Sequence, residues 1–114
     1  MERKIIRKIE EQVTRQLLST ANDAGWPCIG YDYGDGFEKD SDHESIVSMC
    51  LNVDEIHLVF LSTEKNKKAA VFLVYGNDGW DLINDYTITE GFEQLVMEKM
   101  NEYCENIDQH LFTA

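Results

Sequence analysis

The chain has 114 residues, a hydrophobic content of 43% and a formal net charge of −12. That is enough apolar mass for one folded domain, and nowhere are there enough consecutive apolar residues to span a bilayer. So acidic a chain is excluded from holding nucleic acid directly by its phosphates, and a basic partner protein would be steered toward it.

Residues 1–8 carry the basic start of a secretory signal, but Glu10, Glu11 and Gln12 break the apolar stretch that should follow, so a cytoplasmic location is expected. Cys28, Cys50 and Cys104 stand far apart without paired spacing. They fit neither a disulfide framework nor a zinc site and read as buried small hydrophobes.

Residues 2–24 form an amphipathic helix by spacing, with Ile6, Ile9, Val13, Leu17 and Ala21 on one face. Gly25 and Pro27 stop it. Arg3, Lys4, Arg7 and Lys8 lie in its first turns, the unfavourable end for positive charge. A strand follows over 28–33, then a Gly34-Asp35-Gly36 turn and a short return strand at 37–39. Ser41 and Glu44 have capping-box spacing and predict a short helix over 42–51.

Residues 56–61 read as a strand and 64–68 as a charged hairpin loop. Residues 69–75 are almost entirely apolar, which predicts a central strand covered on both faces. Asn77-Asp78-Gly79 predicts a tight hairpin, and the chain returns as a strand over 80–88. Strict alternation would set Trp80, Leu82, Asn84 and Tyr86 on one face and Asp81, Ile83, Asp85 and Thr87 on the other. Thr87 or Thr89 should cap a last helix reaching about His110, with Phe92, Val96, Met100, Tyr103, Ile107 and Leu111 as its buried stripe. The expected architecture is therefore α+β: a mainly antiparallel sheet of four to five strands with three helices, ordered α-β-β-α-β-β-β-α, in one domain over residues 1–114.

Chemistry is sparse. The acidic stretch from Asp32 to Glu44 lacks the glycine and glutamate positions of a calcium loop in either register. His43, His57 and His110 show no spacing to a nucleophile. Around the predicted hairpin, Asp78, Trp80, Asp81, Asp85 and Tyr86 gather polar and aromatic groups that could bind a partner. Asp81 and Asp85, about 13 Å apart on an extended strand, are too distant for a coupled acid-base pair. No cofactor, metal or catalytic residue is expected.

Two segments carry a resemblance: Ala21-Asn22-Asp23-Ala24-Gly25-Trp26, and the run from Val74 to Thr87 spelling VYGNDGWDLINDYT. Together they resemble a family of small uncharacterised proteins encoded by bacteriophages, prophages and plasmids. The resemblance implies a bacterial cytoplasm and an accessory role, and it brings no chemistry.

Three functions follow as expectations. The first is a non-enzymatic acidic binding protein engaging a basic surface on a host or phage protein, with Glu93, Glu98, Glu102, Glu105 and Asp108 of the last helix standing in for phosphates, above all Glu98, Glu102 and Glu105, as a nucleic-acid mimic or inhibitor of a nucleic-acid-binding or defence protein. The second is a structural, self-assembling homodimer formed through whatever sheet surface three helices leave uncovered. The third is an enzyme with an aspartate-rich site at 76–86.

Overall fold

The computed structural model describes residues 3–62, 64–76 and 81–113. Helix α1 spans Arg3–Asp23, strand β1 Cys28–Asp32, β2 Glu38–Lys39, helix α2 His43–Leu51, β3 Glu55–Ser62, β4 Lys67–Val74 and β5 Ile83–Tyr86. A π-helical turn, Glu93–Met97, leads into α3, Glu98–Thr113. The five strands form one sheet in the order β2-β1-β3-β4-β5, and every neighbouring pair is antiparallel. This is the expected α+β order.

The β3–β4 pair runs in unbroken register from Glu55↔Val74 to Ser62↔Lys67. Burial alternates along it: Ile56, Leu58, Phe60 and Ser62 of β3 are buried, as are Ala69, Val71 and Leu73 of β4. All these residues face the helices, because directly opposed residues share a face. The other face of β3 carries Glu55, His57, Val59 and Leu61. Opposite them on β4 stand Val74, Phe72, Ala70 and Lys68. The apolar members of that second face are only half-buried. Coverage of 69–75 on both faces is thus corrected to coverage on one face. An all-apolar strand signals burial but does not count layers.

Helix α1 ends as its sequence requires. Gly25 takes φ +85°, the Trp26 amide donates to the Ala21 carbonyl at 2.8 Å, and the Gly25 amide donates to Asn22 at 3.2 Å. These paired bonds are a Schellman cap, and glycine adopts the left-handed conformation without a Cβ clash. Trp26 is delivered straight into the core, where Phe92 meets it edge-on at 5.2 Å and also lies 5.3 Å from Phe60. This aromatic trio joins the end of α1, the middle of the sheet and the start of the last helix.

Both predicted threonine or serine caps are corrected. Asp42 is the residue before α2 and makes no side-chain cap. Instead Asp40 accepts from the Asp42 amide at 3.0 Å and from the Ser45 hydroxyl at 2.6 Å. Glu44 turns away to a two-pronged pair with Arg15 of α1, at 2.7 and 3.0 Å. That pair is exposed, so it orients α2 more than it stabilises it. Thr89 donates to the Lys68 carbonyl of β4 at 3.2 Å, and Gln94 accepts from the Gly91 amide at 3.0 Å. A tertiary partner took Glu44 and Thr89 from their local caps. The π turn then brings Met97 into the core beside Val96, widening the expected stripe.

Gly30 marks the one tight approach in the sheet. A Cβ there would collide with the Glu38 carbonyl and lie 2.6 Å from the Phe37 ring, which packs over it. Gly30→Ala should therefore destabilise the fold by about 1–3 kcal/mol, read as a lowered denaturant midpoint. Ser48→Ala on the exposed side of α2 should stay within about 0.5 kcal/mol of the native chain.

Candidate functional site

Of the candidate hairpin residues, the described ones, Asp81, Asp85 and Tyr86, do not converge. Asp78 and Trp80 lie outside the described residues. In β5 the register shifts between Phe72 and Leu73, which pair with Asp85 and Ile83 respectively. The extra residue, Asn84, is a bulge. It places Ile83 opposite Leu73 and Tyr86 opposite Val71, so both face the helices, while Asp85 sits on the open face opposite Phe72. The strict alternation expected for 80–88 is corrected accordingly. Asp81 precedes the strand and lies near enough to Cys104 of α3 to act on its thiol electrostatically. Asp81 and Asp85 therefore belong to opposite sides of the sheet. Sequence pattern could not show this, because a bulge shifts every later side chain by one position.

On α3, Glu98, Glu102 and Glu105 are all exposed. At i, i+4 and i+7 they share one face and span about 10 Å. Met100, Tyr103, Cys104 and Ile107 point the other way, into or against the core. Ion pairs among the described residues join Arg7 to Glu10, Arg15 to Glu11 and Glu44, and Lys67 to Glu90. None of them involves the three α3 glutamates. Between residues 90 and 108 the sequence has six carboxylates against Lys99 alone.

A polar cluster beneath α1 went unnoticed in the sequence. Glu10 and Thr14 are buried on its apolar face. Glu10 accepts from the Gly76 amide at 2.6 Å and lies 3.5 Å from Arg7. Thr14 donates to the Glu10 carbonyl at 2.8 Å, which leaves the Tyr75 hydroxyl, 2.7 Å away, to donate to Thr14. Burial first of all raises the Tyr75 pKa. A hollow of about 790 Å³ beside this cluster is bordered by Arg3, Lys4, Arg7, Asp54 and Tyr75. Its border sets Arg3, Lys4 and Arg7 against Glu10 and Asp54. The available signal was two polar residues set within the stripe of Ile9, Val13 and Leu17. The cluster ties α1 to the end of β4 and satisfies its own polar groups, which is a structural role.

Among the described residues, no group of three or more His, Cys, Asp and Glu side chains is placed to hold a metal ion. No described helix is long and apolar enough to cross a membrane. Compared with protein-family models, characterised proteins and solved structures, the chain gives no significant match.

The cysteines are poor nucleophiles. Burial pushes the Cys28 thiol up to about 11 and the Cys50 thiol up to about 12. Cys104 is raised to about 11, by burial first and by Asp81 second. Each is neutral in the fold at a pH where the unfolded chain, with thiols near 9.0, already ionises. Their contribution to stability is therefore complete below pH 9 and declines as pH rises toward 11–12. Melting temperature should fall across that window. At pH 8 a thiol-specific reagent should leave Cys28 and Cys50 unmodified until denaturant is added.

The buried Tyr75 hydroxyl provides a second check. Tyr75→Phe should lower stability by about 1 kcal/mol in chemical denaturation, because Thr14 keeps the Glu10 carbonyl as partner.

Proposed function

We propose that the chain is a non-enzymatic binding protein whose last helix engages a basic surface on another protein. The observation that carries this reading is the exposed row Glu98, Glu102 and Glu105 on α3, which forms no ion pair among the described residues. Carboxylates held about one helical turn apart on a rigid element resemble a line of phosphates in charge and repeat. A partner that normally holds nucleic acid is the natural fit. The net charge of −12 would speed its approach at low ionic strength. The resemblance of two segments to small phage, prophage and plasmid proteins supports seeking that partner in a bacterial host.

An enzymatic reading lacks comparable support. Asp81, Asp85 and Tyr86 are distributed over different faces, and neither hollow described in the molecule includes them.

The test uses immobilised native chain as bait in bacterial lysate, beside a chain carrying Glu98→Gln, Glu102→Gln and Glu105→Gln. A basic protein should be retained by the native bait at low salt, released at high salt, and lost or much reduced on the variant. With the purified pair, the variant should associate about tenfold more slowly and with a flatter salt dependence. Equal retention on both baits would overturn the reading.

A further inference from the structure

We propose that the open face of the sheet is a homodimer interface: two copies pack face to face about a two-fold axis lying in the interface and running across the strands. The buried positions of β3 and β4 all face the helices, and the opposite face offers the half-buried side chains of Val59, Leu61, Ala70, Phe72 and Val74. Phe37, half-exposed, extends this apolar surface over Gly30 at the β1 side. No described element covers these residues.

Charge on this face is sparse and sorted. Lys68 lies at one end of the β3–β4 pair, opposite Leu61, and Glu55 lies at the other, opposite Val74. Lys39 stands beside Gly30 toward the lysine end, while Asp32 pairs with His57 toward the acidic end. Asp85, opposite Phe72, is also on the acidic half. Acidic and basic groups nearly balance here, although the whole chain carries −12. Depletion of charge from a central apolar surface distinguishes interface cores from ordinary protein surface.

This sorting selects the occupant and its orientation. A two-fold axis along the strands would place Glu55 on Glu55 and Lys68 on Lys68, which repel. An axis across the strands reverses the strand direction and sets Glu55 of each copy beside Lys68 of the other, with Asp32 beside Lys39. The apolar middle then meets itself, with Val59 facing His57 and Ala70 facing Phe72. Aligned packing of two sheets in this manner is a common sandwich arrangement. At the acidic end, a hollow of about 290 Å³ bordered by Asp32, Glu55, His57 and Phe72 offers space for an incoming lysine side chain. His57 and Phe72 stack at 4.5 Å and form its apolar floor.

The size of the face sets the strength. Strand lengths and spacings give roughly 450 Å² of projected surface per copy, at the low end for a specific interface, so the dimer is weak and concentration-dependent.

Sedimentation of the full chain between about 10 µM and about 1 mM, at moderate salt, tests this. Native chain should shift from monomer to dimer across the range. Lys68→Glu and Glu55→Lys should each weaken dimerisation at least about tenfold, since each brings like charges together twice. An equimolar mixture should recover affinity to within about threefold of native, because both contacts become complementary in the mixed pair. Both side chains are exposed, so circular dichroism and melting should match the native chain. A chain monomeric throughout, a Lys68→Glu variant that dimerises as tightly as native, or a mixture that stays monomeric would each overturn the proposal. The α3 glutamates lie in the helix layer, so their neutralised variant should still dimerise, which keeps this test independent of the partner-binding one.

Discussion

Backbone pairing between β3 and β4, unbroken from Glu55↔Val74 to Ser62↔Lys67, is the constraint on which the rest of the molecule depends. Register in a sheet is a binary choice: a slip of one residue in β4 would turn Ala69, Val71 and Leu73 outward while Phe60 of β3 stayed inward. With the register set, the buried residues of both strands form one apolar floor, and the apolar stripes of all three helices settle on it. Stability is therefore cooperative, since neither the floor nor the helices can bury their apolar surface alone.

The helices are placed by a few specific joints on that floor. Trp26, Phe92 and Phe60 bring the end of α1 and the start of the last helix onto one point of β3. Glu10, Thr14 and Tyr75 fasten the middle of α1 to the end of β4 through fully partnered polar atoms. The two joints differ in kind: the first contributes apolar area, whereas the second contributes direction, because hydrogen bonds fail when displaced.

One-sided packing leaves the molecule with two unlike surfaces. The helix side carries the carboxylates of α3 and suits long-range attraction to a basic protein. The sheet side is nearly neutral and apolar at its centre, which suits short-range contact with a like surface. The two proposed roles would not compete, since a dimer joined through its sheets would present two acidic helices outward. Such a pair could hold a two-fold partner with greater avidity than one copy.

Much of the fold was legible in the chain itself. Helical periodicity in residues 2–24, the nearly unbroken apolar run 56–61 and the Gly25 stop each depend on neighbours a few residues away, and each element formed where expected. The exposed row of α3 followed from the same 3.6-residue period. Even the segment Ala21-Asn22-Asp23-Ala24-Gly25-Trp26 reads physically as a helix stop that delivers an apolar side chain to the core.

What the tertiary structure decided was everything requiring a partner distant in sequence. Glu44 and Thr89 left their local caps for Arg15 and the Lys68 carbonyl. The Asn84 bulge moved Asp85 to the open face and Ile83 to the covered one. The apolar run 69–75 received one helical layer, not two. Local propensities are worth tenths of a kcal/mol to about 1 kcal/mol each, so a single long-range contact of similar strength can reverse them. The composition and periodicity of this chain determined which elements exist. Only their packing determined which faces remain free to bind.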